Sequence, residues 1–241
     1  MKMTDSKFIN YAHRGASSYA PENTFAAFYK GIEMGANGIE TDIQQTRDGI
    51  LVLHHDDTLE RITGIRKKVS DLKFEELRKI DFGSFFSHKY ENERIVTLFD
   101  FLSYFGGKRL FFALEIKQKG IEEKVVEMCR TFLNKSRYYI TSFDIDCILK
   151  LSRSSDSINL GYLAEKYDSA NVELLSKAGV AQYCPYAPHL DQHQMNALRS
   201  KGFNIRAWGV TDKDIMIKAL RLGIDGMTVN FPDILYAELN N

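Results

Sequence analysis

Short apolar segments alternate along the chain with longer stretches in which apolar and polar residues follow a helical period. Phe25, Phe28 and Ile32, for example, recur at the three- and four-residue spacing of an amphipathic helix. The pattern predicts helices at Asn23–Gly35, Ile121–Leu133, Ile145–Arg153, Val172–Ala178, Gln192–Ser200, Lys213–Arg221 and Asp233–Leu239. It predicts strands at Phe8–Ala12, Gly38–Gln44, Ile50–His54, Leu110–Ile116, Tyr138–Thr141, Ile158–Leu163, Val180–Tyr183, Phe203–Val210 and Gly226–Val229.

The order of these elements is typical of a parallel α/β fold. Gly179, Gly202 and Gly223 each stand between a predicted helix and the next apolar run, where glycine commonly ends a helix. The chain has 241 residues, and a barrel of eight strand–helix units typically needs about 250. The sequence therefore predicts a (β/α)8 barrel, or TIM barrel, with an open doubly wound sheet as the alternative.

One segment, Thr58–Lys108, interrupts this rhythm. It holds charged and helical stretches where a strand–helix unit is expected. We interpret it as a small insertion over the barrel mouth, after the second strand region. Because no linker rich in proline or serine separates it from the rest, the sequence predicts a single domain over residues 1–241.

Charge and cysteine content narrow the class of protein. Lys plus Arg number 32 and Asp plus Glu number 32, which argues against nucleic acid or an anionic membrane bound through overall charge. Three widely spaced cysteines predict reduced thiols. Residues 1–7 do not lead into the apolar run of a signal peptide, and no run approaches the ~20 apolar residues of a membrane span. We expect a soluble, cytoplasmic protein with no stable membrane association, and its oligomeric state stays open.

Acidic residues mark the ends of two predicted strands. Glu40 and Asp42 lie two apart within one strand, and Glu115 and Lys117 close another. Residues two apart on a strand point to the same face, and the carboxyl ends of barrel strands carry the active site. Converging carboxylates repel each other, and a dication with oxygen ligands, Mg²⁺, Ca²⁺ or Mn²⁺, would remove that repulsion. The alternative is separate salt bridges or solvation at the strand ends.

Two histidines and two cations accompany these carboxylates. His13 and His55 are candidates for a general acid–base pair, because imidazole titrates near neutral pH. Arg14 and Lys117 are candidates to bind an anion such as phosphate, with pairing to neighbouring carboxylates as the alternative. His54 is adjacent to His55, and we interpret it as structural because a strand would turn it to the other side.

Other signals carry less weight. His189 and His193 lie four apart without the glutamate of a zinc protease motif, and Asp191 between them is predicted to cap the following helix. Trp208 ends a strand and is a candidate to line the substrate pocket, or else to fill the core. The remaining signals come from two groups. Phe82, Phe85 and Phe86 are predicted to form an apolar wall or to pack inside the insertion, and Arg199, Lys201 and Arg206 to be solvated.

The motifs at the start of the chain resemble those of the glycerophosphodiester phosphodiesterase family. His13-Arg14-Gly15-Ala16 followed by Pro21-Glu22-Asn23-Thr24 is similar to the opening signature of that family. Glu40-x-Asp42 resembles its metal-binding pair, and Asp48-Gly49 with His55-Asp56 resembles its next segment. Later similarities are Glu115-Ile116-Lys117, Ser142-Phe143-Asp144 and Trp208.

The resemblance implies a barrel that hydrolyses glycerophosphodiesters to glycerol 3-phosphate and an alcohol with one divalent cation. Carried over residue by residue, it implies metal ligands, acid–base residues and phosphate-binding residues. These are Glu40, Asp42 and Glu115 for the metal, His13 and His55 for acid–base catalysis, and Arg14 and Lys117 for phosphate.

Three positions depart from the family pattern: Val96 and Asn230, where proline and aspartate are usual, and Gly209, where threonine is common. None belongs to the proposed catalytic set, so they bear on substrate fit. Two alternatives to the hydrolysis of soluble diesters remain: a phospholipase C- or D-like enzyme acting on lipids or lysolipids, and an inactive barrel that binds a phosphoester.

Overall fold

The computed structural model describes residues 8–153 and 158–240. Within these ranges the strands are β1 Ile9–His13, β2 Gly38–Gln45, β3 Leu51–Leu53, β4 Phe111–Ile116, β5 Tyr138–Ser142, β6 Leu160–Ala164, β7 Gln182–Pro185, β8 Asn204–Val210 and β9 Gly226–Val229. The α-helices are α1 Phe25–Glu33, α2 Glu60–Thr63, α3 Phe74–Leu77, α4 Leu98–Phe105, α5 Glu122–Phe132, α6 Ile145–Ser152, α7 Ser169–Lys177, α8 Gln192–Ser200, α9 Lys213–Arg221 and α10 Pro232–Leu239.

Eight parallel strands close into a barrel. Their order is β1, β2, β4, β5, β6, β7, β8 and β9, and β1 completes the circle by pairing with both β9 and β2. Helices follow the strands and cover the outside. The predicted (β/α)8 barrel is confirmed, and the open doubly wound sheet is wrong, because the closed sheet leaves none of these eight strands as an edge.

Strand β3 lies outside this circle. It runs antiparallel to β2, with Leu53 opposite Ile43 and Leu51 opposite Gln45. Gly49 has a φ of +88° in the connecting turn, a conformation that favours glycine. Because β4 occupies the other edge of β2 up to Ile43, β1 and β3 share one edge, at residues 38–40 and 43–45 respectively.

The ends of the elements differ from the predictions by a few residues. The predicted strand Val180–Tyr183 is observed at Gln182–Pro185, because Val180 is buried just after the glycine that ends α7 and precedes the sheet ladder. Asp191 accepts a hydrogen bond from the backbone N–H of Gln194, so its predicted role as a helix cap is confirmed.

Segment 58–108 has two parts that pack differently. Its first part, with α2 and α3, forms a hydrophobic cluster of its own that includes Leu59, Leu77 and Phe82. Its last part, α4, places Phe101 and Phe105 in the main core. The α4 helix thus completes the ring of helices around the barrel. Phe82 is buried in the cluster of the first part, whereas Phe85 and Phe86 are exposed.

All three cysteines are buried free thiols, as the sequence analysis predicts: Cys129, Cys147 and Cys184. Within the two described ranges, none of the helices combines the length and the apolar character that crossing a bilayer requires. Residues 1–7, on which the expectation about a signal peptide was based, lie outside the described residues.

Replacing Phe101 by alanine should test whether α4 belongs to the main core. Its ring is fully buried and lies 4.7 Å from Phe28 and 5.8 Å from Phe112, centroid to centroid. We expect the free energy of unfolding to fall by about 3–5 kcal/mol, measured by urea denaturation. Phe99, on the same helix but 55% exposed, is the control, and Phe99→Ala should cost no more than about 1 kcal/mol. Equal losses would contradict this packing.

Candidate active site

Three carboxylates meet inside the carboxyl-terminal end of the barrel. Glu40 and Asp42 lie two apart on β2, and the register pairs Asp42 with Glu115 on the neighbouring strand β4. Residues two apart on a strand share a face, so all three point the same way. All are buried, and each offers an oxygen within 4.8 Å of the others. The predicted convergence of acidic residues from two strands is present.

Crowding these groups perturbs their ionisation. Burial, and then the negative charge of Asp42, raises the pKa of Glu40 to about 8. Burial and Asp42 likewise raise the pKa of Glu115 to about 7. Burial also opposes ionisation of Asp42, but the attraction of Arg14 and Lys117, the hydrogen bond from Asn23 and other nearby groups together outweigh it, and the pKa of Asp42 is lowered. The site therefore holds one carboxylate that ionises readily, that of Asp42, and two that resist ionisation, those of Glu40 and Glu115.

The chemistry of the cluster suits a divalent cation. Asp42 Oδ1 is buried and, among the described residues, accepts no hydrogen bond, so one acceptor is left for a ligand. Carboxylate oxygens are the ligands that hard ions such as Mg²⁺ and Ca²⁺ prefer. A cation would also neutralise the repulsion that raises the two glutamate pKa values. The three residues could hold one metal ion.

The ring of His13 lies at the end of β1, beside Glu40. Its Nδ1 lies 2.6 Å from Asn230 Oδ1, and its Nε2 lies 3.8 Å from Glu40 Oε2. An amide oxygen only accepts, so Nδ1 carries the hydrogen and Nε2 is the free nitrogen. Burial, and then the positive charge of Arg14, lowers the pKa of His13 to about 4. The ring is therefore neutral at neutral pH.

The second histidine, His55, follows the hairpin strand β3. The ladder continues through His54, whose backbone N–H donates to Asp42 O at 3.0 Å. His55 Nδ1 lies 2.7 Å from Asp56 Oδ1, a carboxylate that fixes the ring orientation. His54 is itself buried, and its Nε2 lies 3.1 Å from Thr58 O, in line with the structural role predicted for it.

Both candidate phosphate-binding cations are engaged with carboxylates. Arg14 Nη1 donates to Glu22 Oε1 at 2.9 Å, and its Nε lies 3.1 Å from Asp42 Oδ2. Lys117 Nζ lies 2.9 Å from Glu115 Oε1. The pairing that the sequence analysis gave as the alternative is thus present. Arg14 nevertheless lines a cavity together with Glu40 and Glu115. Lys117 does not line this cavity but a second one, which shares Glu115 and Phe143 with it.

A tight turn places Arg14. Its own φ is +55° and that of Gly15 is +83°, and its backbone N–H donates to Glu40 O at 2.9 Å. A side chain at position 15 would meet the backbone of Ala27 at 2.4 Å. The turn therefore requires glycine there, both for its backbone conformation and for the close approach of α1.

These groups surround a cavity of about 180 Å³, which His13, Arg14, Glu40, His55, Glu115 and Trp208 help to line. Trp208 forms part of the wall: its ring centroid lies 4.8 Å from that of Phe143 and 4.8 Å from that of Tyr186. Gly209, with a φ of +72°, lets Tyr186 approach, since an added Cβ would lie 2.2 Å from that ring. Trp208 therefore lines this cavity and is not confined to the core.

One sequence interpretation is wrong. Arg206 was expected to be solvated, but it is fully buried and lines the cavity together with Glu40. Its Nε donates to Gln182 Oε1 at 3.1 Å, and its Nη1 donates to Thr228 Oγ1 at 2.5 Å. Alternation along β8 was the available signal, because Arg206 lies two residues before Trp208 and so shares its face.

Asn230, Asn23 and Glu22 also contribute to the site, and the sequence analysis gave them no role in it. Asn230 holds His13, Asn23 donates to Asp42 Oδ2 at 3.1 Å, and Glu22 holds Arg14. Asn23 also accepts from Thr41 Oγ1 at 2.7 Å, which links the loop after β1 to β2. The motifs that contain these residues are visible in the sequence. Their contact partners, however, lie 8 to 217 residues away along the chain, and motif spacing does not indicate such contacts.

Fold and site together define a (β/α)8-barrel enzyme with an acidic, metal-competent site at the carboxyl ends of its strands. The profile of the "Glycerophosphoryl diester phosphodiesterase family" matches residues 13–234. The chain is 32% identical over 237 residues to a glycerophosphodiester phosphodiesterase of Caldanaerobacter subterraneus, covering 95% of this chain and 96% of that protein. The chain belongs to the glycerophosphoryl diester phosphodiesterase family and is a phosphoric diester hydrolase.

Further relatives agree. A protein of Bacillus subtilis named putative glycerophosphodiester phosphodiesterase YhdW is 32% identical over 235 residues, covering 93% of this chain and 95% of its own. A solved structure of an Oleispira antarctica phosphodiesterase, in complex with the product sn-glycerol-3-phosphate, is similar with a TM-score of 0.87 and 26% identity. That likeness covers 96% of both chains.

The stability of the metal-free protein should fall as the pH rises from about 6.5 to 8. The raised pKa values of Glu40 and Glu115 favour the folded state fully below about 4.5, and that contribution is lost as the pH passes about 7 and about 8. Neutral His13 favours folding above 6.5, and its contribution is lost only as the pH falls towards 4. Between pH 6.5 and 8 the contribution of His13 is therefore constant, and the loss of the glutamate contribution lowers the free energy of unfolding.

Urea denaturation in the presence of a chelator measures this trend. Glu40→Gln removes the carboxyl group with the higher pKa, so the variant should show a flatter dependence on pH over the same range. A free energy of unfolding that stays constant or rises between pH 6.5 and 8 in the wild-type protein would contradict the prediction.

Proposed function

We propose that the protein hydrolyses glycerophosphodiesters to sn-glycerol 3-phosphate and an alcohol, with one divalent cation bound by Glu40, Asp42 and Glu115. The observation that carries the proposal is the cluster of three buried carboxylates from two strands. Family membership supports the reaction class. The product named for the Oleispira antarctica relative supports a glycerol phosphate half of the substrate.

The cation is proposed to be Mg²⁺ or Ca²⁺, with Mn²⁺ also compatible, because its ligands are oxygens alone. When bound, a divalent cation supplies electrostatic stabilisation to a phosphate oxygen. Arg14 and Lys117 are proposed to hold the other phosphate oxygens, Arg14 through its fork of N–H groups and Lys117 as a point charge. Each would exchange part of its present carboxylate contact for the phosphate.

The two histidines are proposed to move the protons. One ring takes the proton of the attacking hydroxyl as the new P–O bond forms, and the other gives a proton to the leaving alkoxide as its P–O bond breaks. Asn230 leaves Nε2 of His13 free, and Asp56 orients His55. The attacking oxygen belongs either to water or to the glycerol 2-hydroxyl, in which case water opens a cyclic phosphate afterwards. Early product analysis distinguishes these routes.

We further propose that residues 1–241 act as one domain, in which segment 58–108 comprises an insertion followed by the barrel helix α4. Its partner is proposed to be a small-molecule diester, without nucleic acid or stable membrane association. The zero net charge supports the absence of a nucleic-acid partner. Trp208 is proposed to pack against the substrate, because it lines the cavity beside Phe143.

A second candidate substrate class is lysophospholipids. The observation in its favour is the pair Phe85 and Phe86, which are adjacent and 41% and 36% exposed. Their rings contact each other, and Phe86 also contacts Tyr90, whose hydroxyl donates to Tyr19 O in the loop after β1. Comparing glycerophosphocholine with lysophosphatidylcholine in one assay decides between the two classes.

His13→Ala, His55→Ala and Glu40→Ala should each reduce turnover of glycerophosphocholine by at least about a hundredfold. The two histidines should do so because acid–base groups typically supply 10²–10⁴ in rate, and Glu40 because it would help to hold the metal. Chelator should abolish turnover and Mg²⁺ or Ca²⁺ should restore it. The control is His193→Ala, since His193 is an exposed residue of α8 away from the cavity. Near-normal activity in one of the three variants would remove that residue from the mechanism, and binding without turnover in the wild type would favour an inactive barrel.

The fluorescence of Trp208 should report on substrate binding. It is the single tryptophan of the chain and lines the cavity, so a ligand that displaces water from its face should shift or quench its emission. We expect sn-glycerol 3-phosphate with Mg²⁺ to give a saturable change, measured by titration. Chelator, or Arg14→Met, should weaken it. An emission that does not respond at saturating ligand would exclude Trp208 from the substrate pocket.

A further inference from the structure

A continuous series of ion pairs runs from the carboxylate cluster into segment 58–108. Arg14 Nε lies 3.1 Å from Asp42 Oδ2, and Arg14 Nη1 donates to Glu22 Oε1 at 2.9 Å. Glu22 in turn accepts two hydrogen bonds from Arg61, each of 2.8 Å, from Nη1 and Nη2. Two parallel hydrogen bonds between a guanidinium and a carboxylate fix both distance and orientation.

The same guanidinium makes a second connection. Arg61 Nε donates to Asp56 Oδ2 at 2.6 Å, and the other oxygen of that carboxylate lies 2.7 Å from His55 Nδ1. All three guanidinium nitrogens of Arg61 therefore donate hydrogen bonds, two to Glu22 and one to Asp56. The two carboxylates it joins are the ones that orient Arg14 and His55, which come from separate parts of the chain.

Burial distinguishes this series from ordinary surface ion pairs, which contribute little. The side chains of Arg14 and Glu22 are only 14% and 11% exposed, and that of Asp56 is 24% exposed. Arg61 itself is 46% exposed and forms the outer end. Its loss would leave two partly buried carboxylates without their common partner, free to turn and to pull their inner partners with them.

We infer that Arg61 is a positioning residue of the hydrolytic site. By fixing Glu22 it orients the Arg14 guanidinium, and by fixing Asp56 it orients the His55 ring. This inference rests on the proposed function, because Arg14 and His55 matter to turnover only if they act on a phosphodiester. Arg61 lies in α2, so segment 58–108 contributes a positioning residue to a site whose other members lie outside that segment.

Arg61→Met should lower kcat/KM for glycerophosphocholine by about ten- to a hundredfold, since a misplacement of about 1 Å can cost about a hundredfold. Both parameters should change: KM should rise because Arg14 loosens, and kcat should fall because His55 does. Arg61→Lys should recover only part of the loss, because a lysine cannot span both carboxylates. The matched control is Arg66→Met, since Arg66 is 84% exposed and pairs with Glu60 in the same segment. It should stay within about twofold of the wild type.

A double variant tests the route of the effect. If Arg61 acts through Glu22, the variant Glu22→Gln/Arg61→Met should lose less activity than the product of the two single losses. Should Arg61→Met fail to fold, Arg61→Lys carries the comparison against Arg66→Lys. The inference is overturned if folded Arg61 variants keep kcat and KM near wild-type values, if the Arg66 variants lose as much, or if the Glu22 and Arg61 losses multiply.

Binding of inorganic phosphate separates this inference from the proposed function. If the wild-type protein turns over no glycerophosphodiester, the proposed function fails by itself. Calorimetric titration with phosphate in the presence of Mg²⁺ then still tests Arg61. We expect clearly weaker phosphate binding in Arg61→Met than in the wild type and in Arg66→Met. Equal affinity in all three proteins, or none in the wild type, overturns the inference.

Discussion

The repulsion among three buried carboxylates is the constraint on which the rest of the site depends. Glu40, Asp42 and Glu115 are held within 4.8 Å of one another at the end of a closed barrel. In such a place a like-charge pair costs several kcal/mol even at an effective dielectric of about 20. Arg14 and Lys117 offset part of this, which explains why both cations are turned towards carboxylates. The pKa values of Glu40 and Glu115 show that the compensation is incomplete. A divalent cation would complete it.

Much of this site could be predicted because it depends on local rules. Alternation along one strand places Glu40 and Asp42 on one face, and a parallel barrel brings all strand ends to one mouth. The closed barrel itself followed from counting strand–helix units, and the three carboxylates could be found without knowing which strands are neighbours. The hairpin after β2 also has a local signal, because Asp48-Gly49 between two predicted strands is typical of a hairpin turn.

The remaining features depend on contacts between distant parts of the chain. Asn230 meets His13 across 217 residues, and Arg61 meets Glu22 across 39. Nothing in the local pattern indicates either contact. Arg206 was grouped with Arg199 and Lys201 as a solvated helix end and loop, although its place on β8 directs it inward with Trp208. The role of α4 was missed for a related reason, because only its packing against Phe28 and Phe112 assigns it to the main core.

The shared edge of β2 makes this strand the common structural reference for both histidines and for two of the three carboxylates. One edge of this strand pairs with β1 at residues 38–40 and with β3 at residues 43–45. The strand that carries Glu40 and Asp42 therefore also sets the positions of both histidines, which stand at the ends of β1 and β3. A one-residue insertion in β2 would turn every side chain beyond it to the opposite face of the strand. A shift of β2 against its neighbours would therefore displace Glu40, Asp42 and both histidines together.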